Sequence, residues 1–205
     1  MNTNVDTIIF DLGGVILNLD YSLTTKAFQD LGLTNFEEMY AQANQTSIFD
    51  DLEIGKISAQ HFINLVLPYL PVGTSANKVV HAWNAMILDF PKEHLELLME
   101  LKKTKKLYLL SNTNEIHIQA VNRSLAKTTD KKLNSFFDKV YLSHEIGMRK
   151  PNAEIFDFVC KDQSINPTSA FFIDDTIRHV EGAKSSGLNA YHLTGGETIL
   201  DLFNL

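Results

Sequence analysis

Four short stretches carry side chains that could do chemistry together. "TIIFD" (7–11) ends an apolar run on Asp11, and "KLYLLSN" (106–112) ends on Ser111 and Asn112. "HEIGMRKP" (144–151) delivers Lys150 just before a proline, and "AFFIDD" (170–175) ends on Asp174 and Asp175. Three carboxylates brought to one place repel and raise one another's pKa. A divalent cation relieves that, and hard oxygen ligands suit Mg²⁺. With Mg²⁺ and Lys150 present, such a pocket receives a dianion like phosphate, and Asp11 stays ionised and able to attack. Taken singly the residues have plainer uses: Asp11 as a turn or cap residue, Ser111 as an N-cap, Lys150 as a solvated side chain, Asp174 and Asp175 as caps of a following helix. Their joint occurrence, each at the end of an apolar run, favours the chemical reading.

The elements that must hold these groups follow from periodicity. The runs at 7–11, 106–112, 139–143, 170–175 and 189–193 are apolar on consecutive positions and read as buried strands of a parallel sheet covered on both faces. Helical patterns lie between them. Residues 91–105 begin at Pro91 with acids early and lysines late, 151–163 begin at Pro151, and 176–187 end on Gly187. The alternation predicts an α/β, doubly wound, Rossmann-like parallel sheet, whose chemistry gathers beyond the carboxyl ends of the strands. Residues 20–89 differ. The stretches at 21–32, 35–45, 58–70 and 75–88 all have helical spacing, with Ser58 and Ser75 as N-cap candidates. The expected organisation is a core of 1–19 and 90–205 with an all-helical cap, 20–89, inserted after the first strand.

Composition removes other classes. Lys and Arg number 18 against 25 Asp and Glu, a formal net charge of −7, which argues against nucleic acid or anionic membrane as partner. No apolar run approaches the ~20 residues of a membrane-spanning helix. Cys160 is the single cysteine, so no intrachain disulfide forms. With no signal-peptide pattern in "MNTNVDTIIF", a cytoplasmic location is expected. The seven histidines show no zinc-ligand spacing, and Cys160, inside the apolar face "IFDFVC", is expected to be buried and inert.

"FDLGGV", "LLSNTN", "RKP" and "FFIDDTIRHVEGA", in that order and with a helical insertion after the first, resemble the four motifs of the haloacid dehalogenase-like (HAD) hydrolase superfamily with its first-type cap. The resemblance covers nearly the whole chain and is greatest for the α-glucose-1-phosphate phosphatase-like branch. It implies a phosphatase acting on a small phosphorylated metabolite through an aspartyl-phosphate. Asp11 would be the nucleophile. Asp11, the Gly13 carbonyl and Asp175 would hold Mg²⁺, with Asp174 close by. Gly13, Gly14, Ser111, Asn112 and Lys150 would line the phosphate, and Ser111 and Lys150 would take part in catalysis.

The chain departs from the family pattern at one position. Family phosphatases usually carry a second Asp two residues after the nucleophile as general acid and base, and this chain has Gly13 there. Asp50, Glu53, His61 or His81 from the cap could act instead, or a metal-bound water, or the leaving group could need little help. Metal-free dehalogenation, which in the family goes with a Tyr where Gly13 stands, and a non-catalytic sugar-phosphate binding protein are the alternatives. In the cap, Gly55 could let its turn approach the core, while Trp83 and Asn84 lie near the return of the chain, Trp83 reading chiefly as packing.

Overall fold

The computed structural model describes residues 5–33 and 47–203. The helix expected over 35–45 falls outside these. Five parallel strands form one sheet in the order β3-β2-β1-β4-β5: β1 (Thr7–Phe10), β2 (Lys106–Ser111), β3 (Lys139–Leu142), β4 (Ala170–Asp174) and β5 (Asn189–His192). Every strand starts where its apolar run predicts and stops one residue earlier. Asp11, Asn112 and Asp175 therefore stand just past the ladder, free of sheet geometry.

The described helices are α1 (Tyr21–Asp30), α2 (Ile48–Glu53), α3 (Ala59–Val66), α4 (Ala76–Trp83) and α5 (Lys92–Leu101). They continue as α6 (Glu115–Thr128), α7 (Ser143–Ile146), α8 (Ala153–Asp162), α9 (Ile177–Ser185) and α10 (Ile199–Phe203). Successive strand residues point to opposite faces, and both faces are covered. Ile8, Phe10, Leu107, Leu109 and Ile173 meet α5, α6 and α10 on one side. Ile9, Tyr108, Leu110 and Phe172 meet α8 and α9 on the other. Cys160 is buried in that second layer, where burial pushes its thiol pKa up, as an inert cysteine requires.

A third cluster is built from Phe28, Phe49, Phe62, Val79 and Trp83 of α1–α4, and Ile116 of α6 closes it from the sheet side. Chain leaves and re-enters the sheet layer through two antiparallel segments. Asn18 N donates to Asp89 O (3.0 Å), Leu88 N to Asn18 O (3.1 Å) and Asp20 N to Met86 O (2.9 Å).

Helix ends differ from expectation in places. Ser58 caps α3 by accepting from His61 N, whereas Ser75 stands at the N-cap of α4 without a side-chain bond. Pro91 occupies the N-cap of α5 and not its first turn, and the helix ends at Leu101, so the late lysines fall beyond it. Lys102 Nζ donates to Ser135 O and Phe137 O, tying down a loop instead of serving the helix dipole. The 14-residue α6 is not among the expected helices, since it carries no strong apolar stripe; Asn114 caps it by accepting from Ile116 N and His117 N. Among the described residues no helix is long and apolar enough to cross a membrane.

Candidate active site

β1 is central, paired with β2 and β4, so the ends of these three strands share one edge. Asp11 follows Phe10 directly and its N–H still donates to Ile173 O of β4 (2.8 Å). Ser111 ends β2 and Asp174 ends β4. Lys150 reaches this edge from the loop after α7. Its Nζ lies 2.8 Å from Asp11 Oδ1 and 2.6 Å from Asp174 Oδ2, and the side chain is fully buried above the Phe172 ring. Burial works against its charge, but Asp11 and Asp174 together hold the ammonium pKa above the lysine range.

The surroundings fix that lysine. Asn112 and the Lys150 backbone bond reciprocally, Nδ2 to O and N to Oδ1, each at 2.9 Å. Ser143 Oγ likewise accepts from Thr113 N and donates to Thr113 O, both at 2.9 Å, joining α7 to the loop after β2. Behind Lys150, a Cβ on Gly182 would overlap Pro151 O, so only glycine lets α9 pack this closely. Asp174 is engaged on every side. Besides Lys150 it accepts from Thr176 N (2.8 Å) and faces His179 Nδ1 at 3.0 and 3.1 Å.

The electrostatics are lopsided. Burial, then Asp174, push the Asp11 pKa up to about 8 against the pull of Lys150. For Asp174 burial also raises the pKa, but Lys150 and His179 outweigh it and bring it to about 2. Asp175, raised by burial and by Asp174, turns toward the loop after Asp11. A Cβ on Gly14, which has φ +71°, would overlap Asp175 Oδ2. The missing side chain is what lets that carboxylate rest there. One ammonium thus serves three acids, and a second cation is what this donor set lacks. Carboxylate oxygens such as those of Asp11 and Asp174 suit a hard divalent ion, while Asp175 does not join the close group of ligand atoms. Among the described residues, ligand atoms of Asp11, Asp174 and His179 lie within 4.8 Å of one another.

A cleft of about 420 Å³ opens beside Asp11, with Gly13, Ser111, Asn112 and Thr113 in its wall. Its far wall comes from α1, α2, α4 and the return of the chain, including Tyr21, Glu53, Trp83 and Met86. Gly14, expected to line the phosphate, has its amide donating to Leu17 O (2.9 Å). Gly13 has no acid, and a Cβ there would overlap Leu19 Cδ1. Of the proposed replacements only Glu53 lines the cleft; His61, His81 and Asp50 are exposed.

Several contacts were not legible in the sequence. Arg149 holds both Asp50 and Glu53, with Nη2 2.8 Å from Glu53 Oε2. Gly55, at φ +69°, does bring its turn against the core, since a Cβ there would overlap His144 O. Trp83 is packing, as expected, with both faces covered: Phe49 stacks at 5.3 Å on one and His117 at 5.1 Å on the other. His117 also meets Asn84 Oδ1 at 2.9 Å, and burial lowers its pKa to about 3, leaving it neutral.

Comparison with known proteins agrees with this architecture. A family model described as haloacid dehalogenase-like hydrolase matches residues 5–187. The chain is 32% identical to a D-ribitol-5-phosphate phosphatase of Bacteroides thetaiotaomicron, over 94% of this chain and 93% of that one. A crystal structure of a HAD family enzyme from the same organism superposes with a TM-score of 0.91 at 34% identity, covering 98% of this chain and 99% of the other. The same enzyme, in complex with magnesium and inorganic phosphate, matches with a TM-score of 0.89 at 35% identity, covering 97% and 99%. The five-stranded parallel sheet, the strand-end acids around a buried lysine and these matches together place the chain in the haloacid dehalogenase-like hydrolase family, and within it the chain is a phosphatase.

Proposed function

We propose that this phosphatase hydrolyses small polyol or sugar phosphates with Mg²⁺, through a phosphoryl group carried on Asp11, and that residues 20–89 act as its cap. The observation that carries the reading is the buried Lys150 Nζ between Asp11 and Asp174. It fixes a carboxylate beside the cleft, with Oδ1 held by the ammonium. Asp11 attacks phosphorus, the bond from phosphorus to the ester oxygen breaks, and the alkoxide leaves, taking a proton from water to become the alcohol. Water then attacks the same phosphorus, releasing phosphate and restoring the carboxylate, so one hard step becomes two easier ones. Ser111 Oγ and the Asn112 amide donate to the phosphate oxygens, and Lys150 offsets the negative charge that gathers. Asp11, the Gly13 carbonyl and Asp175 would hold Mg²⁺, with Asp174 alongside; the ion supplies charge stabilisation at the phosphoryl oxygens. Positioning and electrostatics do most of the work in such a site.

The substrate class draws support from the relative named D-ribitol-5-phosphate phosphatase. Glucose 1-phosphate, from the branch the motifs resemble, is the second candidate. Beryllium fluoride supplied with Mg²⁺ should seat on Asp11 in a crystal structure. D-ribitol 5-phosphate, glucose 1-phosphate and related esters should be hydrolysed, with turnover lost in EDTA. An anion seated elsewhere overturns the role of Asp11. An anion on Asp11 with no EDTA-sensitive turnover of any ester would make this a binding protein.

A further inference from the structure

Glu53 ends α2 in the wall of the cleft that also holds Gly13, Ser111, Asn112 and Thr113. Much of the remaining wall is apolar, formed by Leu12, Leu17, Leu19, Met86, Ile87 and Val121. Thr24, a polar neighbour on the same side, is already committed, donating to Trp83 O and accepting from Met86 N. Trp83 offers no open face for a sugar to stack on. Glu53 is thus a carboxylate set among apolar side chains, facing the space where the alcohol part of a phosphate ester must lie.

Its orientation is fixed from the sheet side. Arg149 Nη2 lies 2.8 Å from Glu53 Oε2, and Nη1 holds Asp50 one helical turn earlier. Arg149 directly precedes Lys150, so the cap carboxylate and the ammonium on Asp11 are anchored by adjacent residues. Gly55 lets the turn after α2 come against His144 O, bringing Glu53 within reach of Arg149. Burial raises the Glu53 pKa and Arg149 only partly opposes that rise; it is the geometry, a carboxylate oxygen 2.8 Å from the Arg149 guanidinium, that presents an acceptor here. A half-buried acceptor in a largely apolar wall discriminates between ligands that do and do not donate to it.

We infer that Glu53, positioned by Arg149, accepts a hydrogen bond from a hydroxyl of the leaving alcohol and so selects hydroxylated phosphate esters over those without a hydroxyl. The inference rests on the phosphatase reading above and names the residue that sets its substrate class.

The test compares kcat/KM for D-ribitol 5-phosphate and glucose 1-phosphate with that for phenyl phosphate, which has no hydroxyl beyond the ester. Wild type should prefer one of the hydroxylated esters. Glu53→Ala should reduce that preference by about 10–100-fold, mainly through KM, as loss of a charge-assisted hydrogen bond implies. Glu53→Gln, which keeps an acceptor oxygen, should recover part of it. Arg149→Met should reduce the same preference, and combining it with Glu53→Gln should cost less than the sum of the two losses, because both act through one contact. Melting curves and beryllium fluoride binding with Mg²⁺ establish that each variant is folded. An unchanged preference in the folded Glu53 variants, or equal losses on all esters, overturns the inference while leaving the phosphatase reading intact. Wild type that favours phenyl phosphate overturns it too. Failure of wild type to hydrolyse any ester or bind the anion would remove the phosphatase reading itself.

Discussion

Leu19 Cδ1, the end of a flexible side chain, occupies the space a Cβ at residue 13 would need, so an acid there requires Leu19 to shift. A positioned acid is worth about 10²–10⁴-fold in rate, and its absence should tell most for alkoxides, which leave poorly. The pair Gly13→Asp with Leu19→Ala, compared with wild type across esters of rising leaving-group pKa, should flatten the dependence on leaving group and accelerate alkyl esters by up to ~10²-fold. Parallel dependences would mean that another group already supplies the proton. At this scale the sequence was legible wherever a reactive residue ends an apolar run, as Asp11, Ser111, Asp174 and Asp175 do. Lys150 announced itself through its "RKP" setting. Arg149 did not, because its meaning depends on Asp50, 99 residues away in the chain. Nor did the Asn112 side chain, whose partner is the backbone of Lys150.

Elements place these residues by close approach more than by length. α2 meets the sheet domain only because residue 55 has no Cβ, and at φ +69° a side chain there would be strained as well as crowded. Gly55→Ala should therefore lift α2 away from α7, weakening the Arg149 contacts. The expected result is a rise in KM with a fall of about ten-fold in kcat/KM, and a stability loss of about 1–3 kcal/mol. Steady-state kinetics and urea unfolding measure the two; unchanged KM would show that α2 does not contribute to substrate binding. The strands were legible because burial on both faces leaves an unbroken apolar run. α6 was not, since its buried face is limited to Ile116, Val121, Ser124 and Leu125 among polar neighbours. α5 ended early because Lys102 is drawn to the carbonyls of Ser135 and Phe137, a tertiary preference no local pattern records.

For the molecule as a whole, the acid cluster makes stability depend on both pH and metal. A folded-state pKa of about 8 for Asp11, against an ordinary value of 3.8, means the folded protein holds a proton the unfolded chain has already lost. That contribution is complete below pH 3.8 and is lost as pH rises through about 8. Mg²⁺ held by Asp11, as proposed, would favour the ionised form and would have to displace that proton at lower pH. Its stabilising effect should thus grow from pH 6 to pH 8, by up to ~1.4 kcal/mol per pH unit. Thermal melts with Mg²⁺ or EDTA at both values measure this. In EDTA, Asp11→Asn should gain on wild type as pH rises over the same interval. A magnesium effect independent of pH would place the ion away from Asp11.

The paired segments at 18–20 and 86–89 bear on how such a molecule can change over time. Because the insertion departs and returns at hydrogen-bonded neighbours, its ends are already closed on each other before any helix is added. A different run of helices grafted at these points would, among the described residues, need new partners for Ile116, His117, His144 and Arg149. If residues 20–89 serve recognition as proposed, reaction and recognition would occupy separable lengths of chain, and selection could exchange one while conserving the other.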